Sequence, residues 1–145
     1  MRFDPKHKFN NRKVETAEGV FDSKGEYRRW LFLKDAESRG EVKGLQRQVK
    51  FVLIPTQYRT EIIHLKTKDK EVKRVAEQEI SYKADFVYFK KEGSTDTVFG
   101  EMEHWHRVVE DFKGYPNERW PYIKKMMLYF HGITIREVKK PTEPI

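Results

Sequence analysis

The chain of 145 residues contains no cysteine. Disulfides, iron–sulfur clusters and thiolate zinc sites are therefore excluded, and a reducing, cytoplasmic setting fits the absence. No apolar run approaches the ~20 residues that a membrane-crossing helix needs, so no membrane partner is expected. The opening stretch MRFDPKHKFNNRKV has no apolar segment of the kind a secretory signal carries. Internal repeats are absent too, and nothing in the pattern marks a second domain.

What the chain does have is charge. Charged residues make up 37% of the sequence and the formal net charge is +7. An excess of cations on a small domain points to a polyanionic partner, with nucleic acid first; a merely well-solvated surface is the alternative. Seven tyrosines, ten phenylalanines and three tryptophans supply much of the material for one core.

The first 20 residues are polar and basic without a period and read as an arm. Residues 21–138 read as a single domain, with 139–145 as a flexible tail. FDSKGEYRRWLFLKDAESRGEVKG predicts a helix capped by Ser23 and ended by Gly40, burying Tyr27, Trp30, Leu31 and Leu33. LQRQVKFVLIP predicts a strand closed by Pro55, and YRTEIIHL continues the sheet. KTKDKEVKRVA reads as a charged loop or hairpin tip. EQEISYKADFVYFKK reads as a strand with EGSTD as its turn, and TVFGEMEHWHRVVEDFKG supplies one or two more. A second helix starts near Asn117, tolerates Pro121 in its first turn and buries Ile123, Met126, Met127 and Phe130. Gly132 ends it, and ITIREV is a last strand. The fold class this order predicts is α/β, a mixed sheet flanked by helices.

Within ISYKADFVYF, strict alternation sets Ile80, Tyr82, Ala84, Phe86 and Tyr88 on one face, with Ser81, Lys83, Asp85 and Val87 on the other. An acid in such a strand is costly unless it is exposed, paired or bound to a cation. Two carboxylates on neighbouring strands can hold Mg²⁺ and leave water and phosphate to complete its shell. Asp111 is the natural second acid, and Lys113, two residues on, shares its face. Glu110 should point the other way.

KADFVYF followed by EDFKG resembles the signature of the PD-(D/E)xK nuclease superfamily. The frame from FDSKGE to KGYPNERWPYIKKMMLYFHGITIREV is similar to a small phage-encoded family within it, related to Holliday junction resolvases and transposase endonuclease subunits. The resemblance implies a restriction-endonuclease-like fold, a Mg²⁺ or Mn²⁺ cofactor and hydrolysis of nucleic-acid phosphodiesters, and a compact chain without an evident recognition domain should read DNA by backbone and shape, with little base-sequence specificity. Single-stranded DNA and RNA are further substrates it allows. Asp85 and Asp111 match the two acids, Lys113 the lysine and Glu26 the helix-borne glutamate that completes the metal site, directly or through water. The Phe112 carbonyl is an extra candidate ligand. Gln48 matches a supporting glutamine, while Ser23 and Lys125 are candidate supporting or nucleic-acid contacts. Ala84 stands where the superfamily's name expects proline.

Each residue also has a plainer reading. Ser23 and Glu26 form a Ser-x-x-Glu capping box, and Asp85 and Asp111 could be surface ion pairs. His104 and His106 lack further ligands in sequence, so a surface role outweighs zinc. Trp105 and Trp120 could stack on bases or fill the core. For the whole chain the alternatives are a branched-DNA resolvase, for which a homodimer would give paired incisions, a non-catalytic nucleic-acid-binding protein, and an interaction module.

Overall fold

The computed structural model describes residues 12–112 and 117–145. Its elements run β1 (Val14–Thr16), β2 (Gly19–Phe21), α1 (Lys24–Ser38), β3 (Val42–Ile54), β4 (Gln57–His64), β5 (Asp69–Glu77), β6 (Ile80–Thr97), β7 (Gly100–Phe112), α2 (Trp120–His131) and β8 (Arg136–Val138). The main sheet has the order β3-β6-β7-β8, antiparallel except for the parallel β7–β8 pair. The fold is mixed α/β.

One helix covers each face of this sheet. Trp30, Leu33 and Ala36 of α1 join Phe21, Val42, Phe86, Tyr88 and Val108 in one buried cluster. Trp120 and Met127 of α2 join Phe51, Leu53, Tyr82, Ala84, Val87 and Val109 in the other. Each large apolar side chain so buried contributes about 1.5–3 kcal/mol. Both helices start and stop on local chemistry. Ser23 Oγ accepts the Glu26 amide at 3.1 Å to begin α1, and Gly40 follows it with φ +74°. Pro121 sits in the first turn of α2, and Gly132 closes it at φ 65°.

The buried stripe of α1 differs from the apolar pattern. Leu31 is exposed, whereas Glu26, Arg29, Trp30, Leu33 and Ala36 are buried. Hydrophobicity alone cannot reveal this, because two charged residues are inside. On α2, Met127 is fully buried, Ile123 and Met126 pack against the cluster, and Phe130 is half exposed.

Several segments depart from their sequence-based assignment. Residues 14–21 form the β1–β2 hairpin, held by Arg47, which stacks on the Phe21 ring at 3.7 Å and donates to the Glu18 and Val20 carbonyls. Residues 1–11 of the proposed arm lie outside the described residues. YRTEIIHL does not extend the main sheet; β4 pairs with β5 as a separate ribbon, whose turn lies at the start of the segment read as a charged loop or hairpin tip and whose second strand takes up the rest of it. EGSTD is no turn either. β6 continues through it, and Gly93, at φ 154°, absorbs the register shift between Lys91 and Gly93, a bulge. The chain reverses at Val98–Phe99 instead.

Strict alternation also fails in β6. Tyr82, Ala84 and Val87 face α2, whereas Phe86 and Tyr88 face α1. The same change occurs across the ladder in β3, where Val49, Phe51 and Leu53 lie on the α2 side and Val42 and Leu45 on the other. Gln48 sits at the switch with φ 55°, the only positive φ among described residues other than glycine. A left-handed residue in a strand resets the pleat, so its neighbours exchange faces.

The tail is not free. Arg29, fully buried, donates to Glu110 through Nε at 2.6 Å and Nη2 at 2.9 Å. Its Nη1 donates to the Pro141 carbonyl at 3.1 Å and to that of Glu143. Tyr88 Oη donates to Glu110 at 2.8 Å. Lys90 reaches the Ile145 carbonyl, and the Ile145 side chain packs on the α1 cluster. Replacing Arg29 by methionine leaves a charged carboxylate in the core, and we expect a loss of roughly 3–5 kcal/mol in urea unfolding. Arg29→Met combined with Glu110→Leu should recover most of it, while residues 139–145 become the first site of proteolysis in both variants.

Candidate active site

The pleat switch puts a row of polar side chains across the sheet. Arg47 pairs with Phe86 and Val49 with Ala84, so Gln48 lies opposite Asp85. Phe86 pairs with Glu110 at the end of the β6–β7 ladder, and just beyond it the Phe112 amide holds the Asp85 side chain at 2.8 Å, so Asp85 lies beside Asp111. Asp111 in turn pairs with Glu137 of β8. Adjacent strands are about 4.8 Å apart, so Asp85 and Asp111 are within reach of one shared cation.

Asp85 is half-buried. Its Oδ2 accepts the Phe112 amide at 2.8 Å, and Gln48 Nε2 stands 3.5 Å from its Oδ1. The same amide nitrogen donates to Glu26 Oε1 at 3.3 Å, so Gln48 bridges the helix glutamate and the strand aspartate. Asp111 is buried and accepts the Tyr82 hydroxyl at 2.9 Å. Burial, and then the charge of Asp111, push the Tyr82 phenol well above its ordinary range, so it remains a donor. Glu110 lies on the opposite face in the Arg29 pair and is not available to the row.

Glu26 serves two masters. Its Oε2 accepts the Asp22 amide at 3.1 Å, a variant of the capping box in which the residue before the cap is the donor. Its other oxygen faces Gln48. Burial raises its pKa above the usual carboxylate value, opposed by the Asp22 amide and by Arg47. The sequence offered capping and site as alternatives; one carboxylate makes both sets of contacts.

Gly25 is where α1 comes closest to Phe112. A Cβ there would stand 2.6 Å from Phe112 Cε1, so the vacancy is filled by the Phe112 ring, whose backbone amide anchors Asp85. Lys125 is exposed on α2, and its neighbour Lys124 pairs with Glu137 at 3.1 Å. Trp120 is buried and also donates to Glu137. Trp105 lies under Lys43 at 4.0 Å. His104 hydrogen-bonds Thr95 and His106 faces Glu92, both on the exposed part of the β6–β7 pair. Lys113 lies outside the described residues.

Tyr82 and Glu137 escaped sequence reasoning. Tyr82 looked like one more core aromatic, although its place three residues before Asp85 on a kinked strand was the available signal. Nothing local marks Glu137; only the parallel β7–β8 register brings it to Asp111.

As a metal site, the row offers oxygen donors alone, which suits a hard cation. Among the described residues no three Asp, Glu, His or Cys side chains form a ligand group. An ion held here would have two carboxylates and several waters, as Mg²⁺ accepts, and Glu26 would act on it through Gln48 or water. The chain belongs to a family described as a protein of unknown function, DUF1064, whose model matches residues 6–139. No curated protein and no solved structure matches it. The family span takes in every residue of the row. No helix among the described residues is long and apolar enough to cross a membrane.

Two expectations follow. Gly25→Ala forces the Phe112 ring aside and should cost about 1–3 kcal/mol, with the Phe112 amide resonance shifting in NMR spectra. For Glu26, a raised folded-state pKa means that the folded chain holds the proton more tightly than the unfolded one. Stability then falls as pH rises from the unfolded value through the folded one. Glu26→Gln, measured in EDTA, should therefore have a higher Tm than the parent protein at pH 7, with the gap closing towards pH 4.5.

Proposed function

We propose that the protein is a divalent-metal-dependent endonuclease acting on DNA, of the PD-(D/E)xK kind and with a restriction-endonuclease-like fold. The observation that carries this reading is the placing of Asp85 beside Asp111 on adjacent strands, joined to Glu26 by the Gln48 amide. The left-handed backbone of Gln48 supports it. A non-glycine residue there costs on the order of 1–3 kcal/mol, and such strain persists where surrounding structure and function require it. The net charge of +7 favours a polyanionic substrate.

Asp85 and Asp111 would hold the ion, with the Phe112 carbonyl beside them. A bound Mg²⁺ or Mn²⁺ supplies charge neutralisation at the phosphate and a more acidic water. The Phe112 amide fixes the Asp85 carboxylate, and the Tyr82 hydroxyl fixes that of Asp111, so neither must reorganise when substrate arrives. Gln48 holds Glu26 and Asp85 at a set separation. Lys113, assigned from sequence alone, is the cation for the charge that develops on the phosphate.

The test is cleavage of plasmid, single-stranded and four-way-junction DNA with Mg²⁺, Mn²⁺ or EDTA. Metal-dependent cutting is expected. Asp85→Asn, Asp111→Asn and Lys113→Ala should each lower the rate by on the order of 10³, the equivalent of about 4 kcal/mol of transition-state stabilisation. Preference for the four-way junction would identify a resolvase. Binding without cleavage of any of these substrates would leave a non-catalytic nucleic-acid-binding protein and end the enzyme reading.

A further inference from the structure

The β4–β5 ribbon has no part in the site or in either core. Its strands form a separate two-stranded sheet, and no residue from 57–77 belongs to the two buried clusters. An isolated ribbon of this kind is marginal in stability on its own. It is joined to the strands that carry the site: β4 follows β3, which bears Gln48, and β5 precedes β6, which bears Asp85.

Charge is unevenly arranged on it. Six lysines and arginines face four acids between residues 57 and 77. Glu61 is bridged by Arg59 at 2.8 Å and Arg74 at 2.7 Å, and Asp69 is paired with His64. Lys66, Lys68, Lys70 and Lys73 are exposed and make no ion pair among the described residues. Lys66, Lys68 and Lys70 lie in the distal half, around the turn closed by the Leu65 amide and the Lys68 carbonyl, and Lys73 pairs with Thr60 at mid-length. Tyr58, Ile62 and Val75 add an exposed apolar stripe, and the register puts Lys73 on their face. The opposite end of β6 has the reverse character. Residues 92–103 carry Glu92, Asp96, Glu101 and Glu103 and no lysine or arginine. A polyanion is thus attracted to the ribbon end of the sheet and repelled from the other.

We propose that the β4–β5 ribbon is an arm that holds duplex DNA, with Lys66, Lys68, Lys70 and Lys73 on its phosphates. This rests on the nucleic-acid reading above and adds the direction in which the duplex leaves the site. A two-stranded ribbon is narrow enough to enter a major groove. From Asp85 to the start of β6 is about 17 Å of strand, and the ribbon adds about 26 Å. The arm therefore reaches at most about 12 base pairs from the scissile phosphate, at 3.4 Å each.

The experiment measures binding in EDTA, so that it is independent of cleavage. A labelled duplex of about 30 base pairs is titrated with the full chain between about 50 and 200 mM salt. One variant combines Lys66→Ser, Lys68→Ser, Lys70→Ser and Lys73→Ser; another replaces residues 57–77 with a short glycine–serine turn. The serine variant should keep the parent's circular dichroism spectrum, and the shortened variant should lose only the strand signal of the ribbon and still unfold cooperatively, since the cores are untouched. Each lysine on a phosphate contributes about 0.9 to the slope of log K against log salt. The serine variant should thus lose about 2–4 units of slope and bind at least ~10-fold more weakly at low salt. Unchanged slope and affinity in the serine variant would overturn the proposal. So would failure of the parent chain to bind duplex, which would turn attention to a protein partner for the Tyr58–Ile62 stripe. Loss of slope in a chain that cuts nothing would retain the arm and discard the nuclease.

Discussion

The buried pair between Arg29 and Glu110 is the constraint on which the rest of the molecule depends. Two opposite charges removed from water tolerate little error in position, because each has lost hydration that the other must in large part return. The bidentate geometry fixes the rotation of α1 against β7. Glu26 lies one turn earlier on the same side of the helix, so the rotation that satisfies Arg29 also turns Glu26 towards Gln48. Glu110 is drawn to one face of β7, which commits Asp111 to the other. The chain's last residues then close over the guanidinium and satisfy its remaining donor through the Pro141 and Glu143 carbonyls.

A second constraint acts within the sheet. Gln48 and Asp85 face each other where both strands change faces, so the polar row lies at a junction between the two cores rather than inside either. Apolar packing on each side holds the kink rigid: Phe86, Val87 and Tyr88 are buried in succession, on both faces. This is how a half-buried acid can be held in place between hydrophobic neighbours. A backbone amide and a carboxamide are among its partners, and they orient its two oxygens.

The sequence made legible those features that arise from near neighbours. The Ser23 cap, the Gly132 stop, the last strand and the α/β order all follow from local patterns. Asp85 and Asp111 stood out because acids are expensive in apolar strands, and the structure brings them beside one another. Features that failed depend on distant partners. The burial of Arg29 requires Glu110, 81 residues away; a charged residue on an amphipathic helix otherwise reads as solvent-facing. The tail looked frayed because nothing in KKPTEPI announces that its carbonyls will meet a buried guanidinium. Strict alternation through ISYKADFVYF failed because its cause, a left-handed residue, lies on the neighbouring strand. Charge density in KTKDKEVKRVA concealed a strand, since lysine and glutamate have weak strand preference and pairing with β4 decides the outcome.

The adjacency of Glu110 and Asp111 has a consequence for how the chain finds its native pairing. A slip of one residue along β7 would offer Arg29 either Asp111 or Val109, and would offer Tyr82 either Phe112 or Glu110, according to its direction, since every side chain moves to the other face. In either direction only one carboxylate meets a partner, and it is a methylene too short for Arg29 or too long for Tyr82. Val108 and Val109 would meanwhile exchange cores. A misaligned hairpin therefore gains nothing from having two acids in tandem. The twin carboxylates act as a gauge of length, accepting one alignment of the strand and rejecting its neighbour.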